Sequence, residues 1–261
     1  MHDFALVTGA SSGIGLAISG ELARRGYPLL MVSNEEAKLA EAAASLQAEY
    51  HVKTIALYMD LAQKDSAHKL FNYSETNNLK IGIVVNNAGI YFFKDVTNTP
   101  PERIETVINL HILTPALLCR LFAQQMISEG RRGYILNIAS IAARMMMLGI
   151  ALYSSTKSFL RCFSRSMRLE TFDHGVSITT ISPGAAATGL YNMSPRYVKL
   201  GVRFGYIITP ERLASLAVKK MFQRKAEYIP DGFINRLFIL LVAAIPEALV
   251  RRIKKKMDTP H

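Results

Sequence analysis

Phe4-Ala5-Leu6-Val7-Thr8-Gly9-Ala10-Ser11-Ser12-Gly13-Ile14-Gly15 opens the chain with a short apolar run that breaks into glycines and resumes as a helical pattern. The run reads as a buried strand, and the glycines let the main chain turn sharply and approach a bound group closely. Free N–H groups at the start of the next helix carry partial positive charge, so this turn suits a phosphate or pyrophosphate. A strand over residues 4–7 and a helix over 14–25 are expected on either side of it.

Outward from this turn the alternation continues. Residues 28–32, 54–59, 81–85, 134–138 and 177–181 are near-continuously apolar and rich in Ile, Val and Leu, like strands covered on both faces. Residues 35–50, 65–77, 101–129 and 152–174 are long enough for crossover helices, and Ser33-Asn34-Glu35-Glu36 offers a capping-box start to the first of them. Right-handed crossovers then give an α/β fold, a Rossmann-like doubly wound parallel sheet with helices on both faces. A helix over 210–225 and a short strand at 228–229 follow a looser stretch. With no repeat or linker, one catalytic domain over residues 1–232 is expected, with a substrate loop at about 185–209 and a C-terminal extension over 233–261.

Composition excludes several function classes. A chain of 261 residues, half of them hydrophobic, buries a large core without metals or disulfides. Cys119 and Cys162 lie 43 positions apart in helical stretches, so neither a disulfide framework nor a cysteine zinc site is indicated, and a reducing, cytoplasmic setting is expected. Met1-His2-Asp3 leads straight into the first strand, so no secretory leader is expected. His2, His51, His68, His111, His174 and His261 are scattered, and the glycine turn lacks a Gly-Lys-Thr/Ser ending. Metal hydrolysis and phosphoryl transfer are therefore without support, and no metal site is expected. The net charge of +11 is uneven: residues 190–261 carry 14 basic and 5 acidic side chains, against 17 and 15 before them. Charge gathered at one end, without a zinc-finger or aromatic RNA-binding signature, speaks against a nucleic-acid partner.

Further chemistry-bearing residues punctuate the same frame. Asp60-Leu61 follows the third apolar run, Asn86-Asn87-Ala88-Gly89 the fourth and Ser140 the fifth, with Asn109 in the helical stretch between the last two. Tyr153-Ser154-Ser155-Thr156-Lys157 lies on the next helix, and Pro183-Gly184 with Thr188 follows the sixth run. In order and spacing, over roughly residues 4–190, this set resembles the short-chain dehydrogenase/reductase family, near its 3-oxoacyl and hydroxysteroid reductase branches. The resemblance implies a homo-oligomeric NAD(P)-dependent oxidoreductase that moves a hydride between nicotinamide and a carbonyl or secondary alcohol of an apolar substrate. The alternative is a non-catalytic dinucleotide-binding regulator on the same fold, which has no need of Asn109, Ser140, Tyr153 and Lys157 together.

Tyr153 and Lys157 are four residues apart and leave the same helix face. A phenol with a pKa of about 10 is a poor acid or base at neutral pH, and an adjacent ammonium favours the phenolate. Ser140 stands at a strand end, where open α/β sheets place their ligands, thirteen residues before Tyr153. By the resemblance, Tyr153 gives the proton to the substrate oxygen, Ser140 hydrogen-bonds that oxygen, Lys157 binds the nicotinamide ribose and tunes Tyr153, and Asn109 holds a water of the proton relay. Cofactor contacts are expected from Gly9, Ser11, Ser12, Gly13, Ile14 and Gly15 at the turn, and from Ser33 and Asn34 after the second strand. Asp60 and the main chain of Leu61 are expected at the adenine, with Asn86, Ala88 and Gly89 beside the adenosine half. Pro183, Gly184 and Thr188 complete the set, Thr188 at the carboxamide.

The second run ends Met31-Val32-Ser33-Asn34, with no carboxylate at Val32 or Ser33 to accept from ribose hydroxyls and repel a 2′-phosphate. Glu35 and Glu36 read as first-turn helix residues favoured by the dipole. NADP is therefore expected over NAD, although the basic residues that the family often carries at Ser12 and Ser33 are missing. Met145-Met146-Met147, then Leu190, Tyr191, Met193, Tyr197, Val198 and Phe204, point to an adaptable apolar pocket for a 3-oxoacyl chain, a steroid or another lipophilic ketone. Arg144 either meets an acidic group or is solvated, and His111 either packs or faces the site.

Residues 233–250 are apolar at 14 of 18 positions, but Asn235, Arg236, Pro246 and Glu247 interrupt them, short of a membrane-spanning helix. This segment is expected to pack over the substrate cleft or against another subunit. The alternative is peripheral contact with a membrane, with Arg251, Arg252, Lys254, Lys255 and Lys256 on anionic headgroups.

Overall fold

The computed structural model describes residues 2–91, 93–145, 148–188, 195–203, 206–230, 232–243, 245–246, 248–250 and 252. Strands β1 (Phe4–Thr8), β2 (Leu29–Ser33), β3 (Thr54–Tyr58), β4 (Ile81–Asn86), β5 (Gly133–Ile138) and β6 (Val176–Ile181) each lie within a residue of the ends read from the sequence. Between them run α1 (Gly13–Ala23), α2 (Glu36–Tyr50), α3 (Ser66–Thr76), α4 (Pro101–Ile108), α5 (Thr114–Ser128) and α6 (Ala151–Thr171). Then follow β7 (Ala185–Ala186), α7 (Pro195–Arg203), β8 (Ile207–Ile208), α8 (Pro210–Phe222), β9 (Glu227–Tyr228) and α9 (Gly232–Ala243).

Seven strands form one parallel sheet in the order β3-β2-β1-β4-β5-β6-β9. Every residue of β2, β4 and β6 is buried, which is why these segments are continuously apolar and not alternating. Two hydrophobic layers sandwich the sheet. One gathers Ile18 and Leu22 of α1, Leu39 and Leu46 of α2, and Leu213 and Val218 of α8. The other gathers Leu70 of α3, Leu118, Phe122 and Met126 of α5, and Met167 of α6. The run Pro101–Ser128 is long and apolar enough to cross a membrane by length and composition. Its α5 face is buried in the second layer, so core packing accounts for that composition.

Two local readings of the sequence are corrected. Residues 101–129 do not form one α-helix, because a π-helical turn over Asn109–Leu113 separates α4 from α5. Such a wide turn inserts an extra residue and re-aims the side chains around it, often at a functional site. Nor does Ser33-Asn34-Glu35-Glu36 form a capping box. Ser33 is the last residue of β2, Glu35 is the N-cap, and no side chain caps α2. The Ser33 hydroxyl accepts the Glu35 N–H at 3.2 Å and donates to Ser11 Oγ at 2.9 Å, so it is already engaged.

Candidate active site

β1 and β4 are neighbours in the sheet although β2 and β3 lie between them in sequence, so the loops leaving their C-terminal ends diverge. A crevice at such a switch point is where open α/β sheets take ligands. Here it is a cleft of about 450 Å³ whose lining runs from the glycine turn, past Ser33 and Asp60, to Ser140, Tyr153, Lys157 and Thr188.

The glycine turn is clamped from below. Thr8 Oγ1 donates to Val85 O at 3.1 Å and accepts the N–H groups of Asn87 and Ala88 at 3.0 and 3.1 Å. Asn87 Nδ2 donates to the carbonyls of Thr8 and Gly9 at 3.0 and 3.2 Å. Gly9 and Gly13 have φ of +65° and +56°, a conformation that disfavours any side chain. A Cβ on Gly15 would stand 2.0 Å from the Gly9 carbonyl oxygen, so the helix can begin this close to the turn only with glycine there.

These features fit a dinucleotide. Ser12, the N-cap of α1, makes no side-chain capping bond, which leaves the first-turn N–H groups for an anion. Gly13 and Thr188 face each other across bare main chain, where an added Cβ would come 3.2 Å from Thr188 Cγ2. Ser11, Ser12, Ile14, Ser33, Asn34, Asp60, Leu61, Ala88, Gly89, Pro183 and Gly184 line the same cleft. Asp60 is fixed by its own loop, its carboxylate accepting Ala62 N–H and Gln63 Nε2, both at 3.0 Å.

Ser140, Tyr153 and Lys157, each only 5% exposed, meet at the far end. Ser140 N-caps a 3₁₀ turn (Ile141–Arg144), its Oγ accepting Ala142 N–H at 3.1 Å. That bond uses a lone pair and leaves the hydroxyl proton free to donate. Lys157 Nζ donates to Ile138 O at 3.0 Å and stands 5.8 Å from the Tyr153 ring centre. Burial brings the Lys157 ammonium down to a pKa of about 8. Tyr91 meets the Tyr153 ring edge-to-face at 5.1 Å, and His111 does so at 5.9 Å.

Three expected site residues stand elsewhere. Asn86 turns into the core, donating to Asn137 Oδ1 at 2.8 Å and Cys119 Sγ at 3.3 Å; Asn87 reaches the cleft in its place, beside Ala88. Gly15 serves packing beneath the turn. Asn109 begins the π turn, with its neighbour Leu110 on the cleft wall. His111 is buried, its Nε2 accepting Ile90 N–H at 2.9 Å and its Nδ1 3.0 Å from Thr156 Oγ1. Arg144 is not solvated: it pairs with Glu227, which also receives Arg161 Nε at 2.8 Å.

On the substrate side, Ile141, Ala142, Met145, Ile150 and Tyr153 form one apolar cluster with Ile239 of α9. The C-terminal segment thus packs against the cleft, as one of its expected positions required. Met146, Met147, Leu190, Tyr191, Met193, Phe204, Arg251 and Lys254–Lys256 lie outside the described residues, and Tyr197 and Val198 fall on α7.

The family pattern described as short chain dehydrogenase matches residues 3–196. The chain belongs to the short-chain dehydrogenase family. As a member it is a nicotinamide-dependent oxidoreductase acting between C=O and CH–OH groups. This dehydrogenase is 34% identical over 247 residues to very-long-chain 3-oxoacyl-CoA reductase-B of Danio rerio, covering 92% of this chain and 76% of that protein. The Homo sapiens very-long-chain 3-oxoacyl-CoA reductase is 31% identical over 195 residues, covering 73% of this chain and 61% of its own length. Among solved structures, a short-chain dehydrogenase from Sphingobium yanoikuyae in complex with NADPH superposes with a TM-score of 0.80 at 25% identity, covering 100% of this chain and 97% of that one.

The dehydrogenase also places at the adenosine end two residues that the sequence does not mark for the cofactor, Glu35 and Lys38. Glu35 was read as a helix-dipole residue; its carboxylate instead accepts Ser11 Oγ at 2.8 Å and Lys38 Nζ at 2.5 Å, and both Glu35 and Lys38 line the cleft. Those two bonds hold the Glu35 carboxyl below the usual carboxylate range. A Ser33–Ser11–Glu35 hydrogen-bond chain across two strand ends has no sequence signature, because it depends on β1 and β2 being paired.

Proposed function

We propose that the chain is an NADPH-dependent reductase of lipophilic 3-oxoacyl thioesters, with Tyr153, Ser140 and Lys157 as its catalytic residues. The observation that carries the reading is the meeting of these three side chains, on one cleft with the glycine turn, against an apolar wall. The curated relatives, named as 3-oxoacyl-CoA reductases, support the acyl class, and the NADPH complex of the Sphingobium neighbour supports the cofactor.

Bound nicotinamide supplies a hydride to the carbonyl carbon. The remaining work falls to the chain. Ser140 keeps its hydroxyl proton free while Ala142 N–H holds its oxygen, so it can donate to the substrate oxygen. Tyr153, buried between Tyr91 and His111, gives its phenolic proton to that oxygen as charge develops there. Lys157 stabilises the resulting phenolate through the field of its ammonium and offers its remaining N–H donors to the ribose. Ile141, Ala142 and Met145 exclude solvent from the reacting carbon.

The test follows NADPH absorbance with 3-oxoacyl-CoA substrates of increasing chain length, beside a steroid ketone and a ketose. Turnover rising with chain length and lost in Tyr153→Phe, with NADPH binding retained, is expected. Preference for the steroid or the ketose overturns the acyl assignment, and normal turnover by Tyr153→Phe overturns the site.

A further inference from the structure

Among its described residues, helix α9 has one apolar face that is covered and one that is exposed. Its inner face sets Ile239 and Val242 against the cluster that holds Tyr153. Its outer face presents Leu237, Leu240 and Leu241 at 47%, 66% and 59% exposure, and Ile245 and Leu249 continue this uncovered surface past the helix end. Spacings of three and four residues put the leucines on one side, so this is a continuous patch and not scattered exposure. In the sequence five cations, Arg251, Arg252, Lys254, Lys255 and Lys256, follow at once.

We propose that the outer face of α9, with the basic cluster beyond it, docks on an anionic lipid surface. Exposed leucines beside clustered lysine and arginine are the two components of interfacial binding: apolar insertion and attraction to acidic headgroups. The charge also selects between occupants. Acidic headgroups would neutralise a cluster of five cations, which a second copy of this basic chain would not. A further consequence rests on the proposed function. Because Ile239 lies on the reverse of the docking face, lipid and the apolar wall beside Tyr153 are separated by one helix, which gives a lipophilic substrate a short path that avoids water.

The experiment is sedimentation of the full chain with vesicles of mixed phosphatidylcholine and phosphatidylglycerol, and with phosphatidylcholine alone. Expected is binding to the mixed vesicles at low salt, loss on raising salt, and little binding to the neutral ones. Lys254→Glu/Lys255→Glu/Lys256→Glu should weaken binding by at least on the order of 100-fold, and Leu240→Glu/Leu241→Glu should abolish it, both with NADPH binding intact as proof of folding. Wild-type protein that stays in the supernatant with mixed vesicles overturns the proposal. So does a leucine variant that binds vesicles normally but converts a dimer to a monomer, since the face then joins two copies. Vesicle binding is read without catalysis, so failure of the acyl assignment leaves this result distinct.

Discussion

The ammonium of Lys157 donates to the carbonyl oxygen of Ile138 at 3.0 Å, tying α6 to the last residue of β5. Burial lowers its pKa from the ordinary 10.5 to about 8. Between those values the unfolded chain binds more protons than the folded one, so this group makes stability rise with pH across that window. Below pH 8 the full cost of burying the charge applies, at most about 3 kcal/mol. Cofactor-free protein should therefore gain urea resistance from about pH 8 to 10 relative to Lys157→Met. Parallel pH profiles of the two midpoints would show that the ammonium is not desolvated.

His111 gives the opposite end of the pH scale. Ile90 N–H donates to Nε2, so the proton sits on Nδ1 and is donated to Thr156 Oγ1, whose own proton goes to the Tyr153 carbonyl at 2.8 Å. A second ring proton would confront the Ile90 N–H and add charge beside Lys157. Burial, with Lys157 and Arg103, holds the His111 pKa well below 6.5. The unfolded histidine takes up its proton first, so stability is complete above pH 6.5 and is lost as pH falls below it. His111→Gln should lower thermal stability at pH 8, by roughly 1–3 kcal/mol, and flatten the acid limb of the melting profile. An unchanged acid limb would assign that limb to other groups.

How much of this was legible in the sequence depended on how local the cause was. Strand ends came out within a residue because burial on both sheet faces leaves a continuous apolar run. The glycine turn and Tyr153-Lys157 were legible because each is set by spacing within one or two elements. The Asn109 π turn was not, since helical periodicity survives one inserted residue. Asn86 and Asn87 are adjacent amides, and which one faces the cleft is fixed by the pleat of β4 and by Asn137 on its neighbour. Glu227 as the partner of Arg144 lies 83 positions away and is visible only once β9 pairs with β6.

That ion pair is itself testable. Glu227 is largely buried and is contacted by Arg144, Arg161 and, at 3.8 Å, Arg165. Burial works to raise its pKa, but hydrogen bonds from Arg161 and Arg144 bring it below the ordinary value. Glu227→Gln leaves partly buried arginines facing one another without their acid, a loss of roughly 2–4 kcal/mol. Arg144 closes the 3₁₀ turn that Ser140 caps, so kcat should fall more than cofactor affinity does. Urea denaturation and steady-state kinetics read the two effects, and a variant as stable as wild type would show the cluster to be solvent-screened.

Glu35 and Lys38 decide how the adenosine end treats a 2′-phosphate. As found, Glu35 accepts from Ser11 and Lys38, an arrangement in which its carboxylate favours ribose hydroxyls and repels phosphate. Among the described residues Lys38 is the one cation lining this end of the cleft, and it sits on the exposed first turn of α2, where it can exchange Glu35 for a phosphate. Removing that cation should weaken a charge-assisted contact worth about tenfold or more in affinity. Lys38→Gln is expected to lose 2′,5′-ADP and NADP⁺ affinity by that factor while 5′-AMP and NAD⁺ are unaffected. Glu35→Gln should act in reverse, tightening NADP⁺. Titration calorimetry with the four nucleotides measures both without turnover. Equal losses for phosphorylated and unphosphorylated ligands in Lys38→Gln would mean that Lys38 merely orders Glu35 and the loop, and that the 2′ position is read by Ser11, Ser33 and Asn34 alone.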